Sequence, residues 1–570
     1  MRLFNRLCNT ILLLLVVVAS LFAGGCSMTT DNTLGSDIMP EGQVMVMRHL
    51  KFKGNKIVKL NPEIGANEEF DTGKNFIETR LYRTDSLLSS NIGNGYMGVR
   101  RSDIFGLRAA SFASTMLYMN ALDEENGFGY MPIFDTMKLV LSVTNYGGDT
   151  LTPIRYKVYE LRKPLAENAF KYDEKRADSV AYIDCDISAL YDESKPIFEF
   201  TFPNADLEVG PSTQILAMEP VKGSDGKMSA QTWDFARRLM LIPDNYADAG
   251  TDWDGYGRSG IECYKSDKAW VEKIFGLYIK PDMDNTPADK EGAIYEIDLA
   301  ASGLMLQGRS RNPKDPTMIK DTVGMYYYFV DDNSTYNTSL NRVERDYSKG
   351  LERVSSLLNG VVMDASKSRE ERTMVSTCYV EGMGGPATEI YFTDSFLEEL
   401  IKLETTESDT YSKMGINQCL LSIYVDGADY DWSVTQSNSA YLTPLLDKSF
   451  TRLGSYLNYN TFSPIIDYDY LYEKNYDAEL PYGGYLDRSR GCYVLNITAH
   501  IQKLFGSLRQ ADGTYDVSAV EEALRVIYLG VEANNPYLLS ESVLQGMPEA
   551  SSSDVSAAPI QIDLTYTLIK

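Results

Sequence analysis

The sequence predicts an all-β fold: two tandem jelly-roll-like (Greek-key) β-sandwich domains with few short helices. Three observations predict it. Thirty-nine tyrosines among 570 residues, together with the Val, Ile and Thr content, favour pleated strands. Period-two alternation recurs along the chain, as at Met137, Leu139, Leu141 and Val143 and again at Ile560, Ile562, Leu564, Tyr566 and Leu568. Three short patterns also repeat in the same order: Leu141-Ser142-Val143 with Gly147 returns as Leu421-Ser422-Ile423 with Gly427, Ile294 to Ile297 as Val494 to Ile497, and Met325 to Phe329 as Val526 to Leu529.

In chain order, residues 1–25 read as a secretory signal, with Arg2 and Arg6 ahead of the apolar run Ile11 to Phe22. Twelve residues, Ser20 among them, are too few to span a bilayer, which needs about 20. Ala23-Gly24-Gly25 before Cys26 looks like a bacterial lipobox, so Cys26 is the expected lipidation site and the lipid its membrane anchor. More than one acyl chain on one residue gives stable attachment. Ser27 follows where an inner-membrane retention signal would place aspartate, so an outer-membrane or surface address is expected.

Residues 26–62 are polar and irregular and read as a tether. Residues 63–340 form the expected first sandwich. There the strand ending at Gly147-Gly148-Asp149 should turn into a return strand at Ile154, Tyr156 and Val158. Gly93-Asn94-Gly95-Tyr96-Met97-Gly98 matches the dinucleotide fingerprint by letter, but polar flanks replace the strand and helix that motif needs, and it reads as a glycine-rich loop. Residues 341–570 form the second sandwich. Ser395 to Glu398 and Ser518 to Glu521 have capping-box spacing, Ala499 to Phe505 suits a short helix, and 341–358 fits either a helix or a strand and linker. The strand at 559–570 must pair with segments far back in the chain.

Composition narrows the chemistry. Removing Arg2 and Arg6 with the signal takes the net charge from −26 to −28, a surface that repels nucleic acid. His49 and His500 are the only histidines, so a multi-histidine metal site is out, and His500 reads as a surface residue. Cys185, Cys263, Cys378, Cys419 and Cys492 are odd in number and widely spaced, which suits free buried thiols or, in an oxidising envelope, a single disulfide among them. No cofactor and no catalytic residue is indicated. Two loops are candidate binding sites: Asp252, Trp253, Asp254 and Tyr256, whose acids and aromatics suit a cation or a sugar ring, and Tyr468, Tyr470 and Tyr472. Trp233 and Trp270 are expected to pack inside the sandwich.

Ordered pieces carry a resemblance. They are Leu34-Gly35 with Pro40; Met97-Gly98, Phe105-Gly106 and Ala110-Ser111-Phe112; Tyr146 to Asp149 with Val158 to Leu161; Phe275 to Ile279; and Glu381-Gly382 with Gly384-Gly385. In these the chain resembles the Bacteroidota lipoproteins of domain of unknown function 4270. The resemblance implies an outer-membrane or surface lipoprotein of jelly-roll-like β-domains and brings no catalytic residue. The expected function is non-catalytic binding of a glycan or a partner protein, or service as an accessory subunit of an outer-membrane assembly. The alternative is a carboxylate-based glycoside hydrolase, with two acids across a sugar cleft.

Overall fold

The computed structural model describes residues 45–570 apart from 62–65, 84–86, 123–126, 175, 204–213, 221, 223–225, 243–260, 331–333, 359–368, 370–373, 427–451, 460–461, 469–482, 533–536 and 548–559. The fold is mostly antiparallel β-sheet with few helices.

The C-terminal strand Gln561–Ile569 shows how the sequence builds it. Ile562, Leu564, Tyr566 and Leu568 are buried while the residues between them are half-exposed, as alternation across a pleat requires. This strand is central in a seven-stranded sheet. Met45–Lys53 lies on one side, in register from Met45 opposite Ile569 to Lys53 opposite Gln561, and Lys413–Tyr424 lies on the other. A five-stranded sheet, containing Ile77–Arg83, Pro386–Phe392, Val526–Val531 and Leu453–Asn458, contributes to the same core. The helices Asp394–Thr405 and Thr498–Leu508 pack there too, through Phe396, Leu400, Ile501 and Leu504.

These pairings correct the expected organisation. Residues 45–61 are not tether: Met45–Lys53 and Lys56–Asn61 are strands, and Leu50 and Phe52 enter the core. Residues 66–83 pair within the two sheets that hold the C-terminal segments, so neither 63–340 nor 341–570 is a self-contained sheet system. Ser339–Asp346 crosses the other boundary, pairing with Gly106–Ser114. The undecided stretch 341–358 holds both forms, this strand and then the helix Glu352–Leu358.

An eleven-stranded sheet runs from Asn94 to Asp346. Its longest strand, Ala293–Asn312, pairs along one edge with Ile133–Gly148, and along the other with Asn94–Ser102 and then Asp315–Tyr328. One core cluster gathers residues of these strands with others from Ile154–Glu160, Phe198–Phe202 and Leu277–Pro281. Ile154–Glu160 is a strand as expected, but its neighbours are Phe198–Phe202 and Leu277–Pro281 rather than Ile133–Gly148. Asn94–Ser102 is a strand and not a glycine-rich loop. Its glycines serve contact: a Cβ on Gly98, at φ +137°, would sit 2.2 Å from the Ala293 carbonyl oxygen, and one on Gly95 2.8 Å from the Phe112 ring.

The first two sequence echoes correspond to strand pairs in both halves. Val143 opposes Ile297, while Ile423 opposes Tyr493, four residues short of the equivalent register. The third echo diverges. Met325 to Tyr328 pair with the Ala293 strand, whereas Val526–Val531 lies in the five-stranded sheet.

Candidate functional site

The helix Ala230–Leu239 is fixed at three points. Ser229 caps it by accepting the Thr232 amide at 3.1 Å, the Thr232 hydroxyl donates to the Ile197 carbonyl at 2.7 Å, and Arg238 donates to Glu160 at 2.6 Å. Phe235, Ala236 and Leu239 face the core. Trp233, on the adjoining face, stays half-exposed and meets Phe134 of the Ile133–Gly148 strand edge to face, with centroids 6.1 Å apart. Beside this pair lies a cavity of about 480 Å³, walled also by Met137 and Met228 and rimmed by Asp135, Thr136, Glu219, Lys222 and Lys227. That volume falls within the range of small-ligand sites, roughly 300–1,000 Å³.

Its polar groups divide into committed acceptors and open donors. Asp135 takes Arg309 in a fork, at 2.7 to 3.0 Å, and Glu219 faces Lys138 at 3.8 Å. Among the described residues, nothing accepts from the Trp233 indole N–H, the Thr136 hydroxyl or the Lys222 ammonium. Trp270 differs on every count. It is fully buried, stacked on Tyr327 at 5.3 Å, and its indole N–H donates to the Met116 carbonyl. The expectation of a packed interior site holds in full for Trp270, which has a polar partner inside the core, and in part for Trp233, which packs against the same core but stays half-exposed.

A second polar cluster is buried. Arg100, Arg108 and Arg345 stand directly opposite one another across three adjacent strands. Glu381 and Glu541 are likewise opposed across Thr377–Glu381 and Glu541–Gln545, and they meet the arginine row. Glu381 binds Arg108 at 3.1 Å and also Arg345, and Glu541 lies 3.6 Å from Arg100 and accepts from Ser102 at 2.8 Å. The Leu539, Gly382 and Met383 carbonyls take further guanidinium N–H groups at 2.8 to 3.2 Å. Burial pulls Arg108 down to about 10, against the pull of Glu381. Like charges in opposed positions repel, so each row needs the other. This cluster is a joint between the eleven-stranded sheet and the two-stranded sheet of Thr377–Glu381 and Glu541–Gln545.

Elsewhere the chemistry is muted. His500 is not a surface residue: it is fully buried in the Thr498–Leu508 helix beside Phe392, and burial pushes its imidazole down to about 4. Burial raises the Cys185, Cys263 and Cys492 thiols to about 11 and Cys378 to about 12, so none of these is a thiolate at neutral pH. The five cysteines among the described residues are free thiols, three of them buried. Burial also raises the carboxyls of Glu296 and Asp467. Asp467 accepts the Ala499 and His500 amides at 2.6 and 2.8 Å and so caps the start of the Thr498–Leu508 helix, while Glu296 accepts from Asn94 at 2.6 Å in the eleven-stranded sheet. Among the described residues no three His, Cys, Asp or Glu side chains are grouped to hold a metal ion.

Cys26, Asp252, Trp253, Asp254, Tyr256, Tyr470 and Tyr472 lie outside the described residues. Tyr468 is described, and it packs against the core of the second half with the Arg452 guanidinium 5.9 Å from its ring. That position serves packing rather than an exposed binding loop. The sequence signal for the cavity was weak, since its walls come from 134–137, from 219, 220, 222 and 226–228, and from 230 and 233, which adjoin only once the helix docks. No protein-family model and no curated protein matches this chain.

Proposed function

We propose that this is a lipid-anchored lipoprotein of the outer membrane or cell surface, of the kind the domain of unknown function 4270 resemblance implies. It binds a glycan or a partner protein, or serves as an accessory subunit of an outer-membrane assembly, without catalysing a reaction. The observation that carries the binding role is the cavity beside Trp233, an aromatic wall with open hydrogen-bond donors. Sites that recognise small ligands combine an apolar wall with a few placed polar groups in this way. The lipobox at Cys26 supports the address. The two halves are read as jelly-roll-like sandwiches, and the support is the pairing shared by the first two echoes.

Two measurements test the reading together. Cys26→Ala should move the protein from the membrane to the soluble fraction of whole cells. Cross-linking followed by purification, beside titration with envelope and dietary glycans, should yield a ligand or a partner. A Cys26→Ala variant still sedimenting with membranes, or silence in both binding assays, would remove the corresponding half of the proposal.

A further inference from the structure

The donors left open around the Trp233 cavity narrow its ligand, on the premise that the protein is a binding protein. We infer that the cavity takes a saccharide bearing an acidic group, one ring lying on the aromatic wall and its anionic oxygens meeting Lys222.

The wall comes first. A pyranose presents a face of C–H bonds that packs on an indole or phenyl ring, and Trp233 with Phe134 provides such a surface at the edge of solvent. A ligand that was apolar throughout would leave the rim without partners, and burying unmatched donors is costly. The rim then sets the polarity. Asp135 is held by Nε and Nη2 of Arg309, and Glu219 is paired with Lys138, so the carboxylates of the cavity are already answered. The groups with no described partner can all donate, and Trp233 Nε1 and Lys222 Nζ can do nothing else, while Thr136 Oγ1 can also accept. A complementary ligand is therefore rich in acceptor oxygens and carries negative charge. The open Lys222 ammonium stands out in a chain whose formal net charge is −26.

The test is isothermal titration of the intact mature protein with oligogalacturonate and with chondroitin sulfate oligosaccharides, using maltohexaose as the neutral comparison. The expected result is binding of at least one acidic oligosaccharide that weakens as salt rises, with maltohexaose at least tenfold weaker. Trp233→Ala should weaken the acidic ligand at least tenfold, and Trp233→Phe, which keeps a ring but removes the N–H, by a smaller factor. Lys222→Gln should weaken it severalfold and flatten the salt dependence. Thermal melts of each variant confirm that the fold is kept. Maltohexaose binding equal to the acidic ligands, or full affinity in Trp233→Ala, would overturn the inference. Failure of every saccharide, with a protein partner recovered by cross-linking, would overturn the ligand assignment and leave the binding role standing.

Discussion

The arginine joint and the Trp233 cavity both place charge on a sheet face, and they use it in opposite ways. In the joint, three guanidiniums and two carboxylates are almost wholly buried, each tied to a partner on another segment of chain. In the cavity, the acids are tied to cations and the donors remain open to solvent. The difference teaches that buried charge in this protein fixes geometry, while the exposed Lys222 beside the aromatic wall is the charge on which the proposed binding role draws.

The sharpest way to break the comparison is to divide the chain at 340/341. The C-terminal fragment would lack Met45–Lys53 and Ile77–Arg83, which pair in both of its sheets, and its glutamates would lose Arg100 and Arg108 and keep only Arg345. Neither fragment should fold alone, as read by circular dichroism and amide exchange. A cooperatively melting 341–570 fragment would make the joint an accessory. Next, Glu381→Ala leaves Arg108 and Arg345 buried without their carboxylate and should cost about 3–5 kcal/mol in urea unfolding. The tryptophans carry the comparison to single residues. Trp270→Ala should cost about 3–5 kcal/mol by emptying a core position, and Trp233→Ala about 1 kcal/mol or less. Equal costs would mean that Trp233 is a core residue after all.

A smaller effect concerns pH. The buried His500 imidazole stays neutral down to about pH 4, whereas in the unfolded chain it takes up a proton near its ordinary 6.5. Below pH 6.5 the unfolded state therefore binds the extra proton, and stability is lost as pH falls from 6.5 towards 4. The loss reaches about 3 kcal/mol at the low end. His500→Leu should flatten that slope in urea melts across the interval. An unchanged slope would show that His500 does not carry it.

Regular alternation made the strands legible, best of all at 561–569, where four buried apolar residues mark one face. Met45–Lys53 escaped because only Leu50 and Phe52 point firmly inward, while Arg48, His49, Lys51 and Lys53 give it the polar look of a tether. The joint escaped for a different reason. In sequence Arg100-Arg101 is a short basic pair, and only strand pairing sends Arg100 into a row with Arg108 and Arg345, 245 residues away. His500 was misplaced because a polar residue on a short helix reads as solvent-facing until both helix and sheet are packed around it. Contacts set by register between distant strands leave no mark in local spacing, and both the joint and the cavity are made of such contacts.

The proposed role rests on where the protein is held. The most direct measurement is the intact mass, with N-terminal peptide mapping, of protein purified from native membranes. The account predicts a chain beginning at Cys26 and carrying acyl chains on that residue. A chain that retains residues 1–25, or one that begins at an unmodified Cys26, would contradict it.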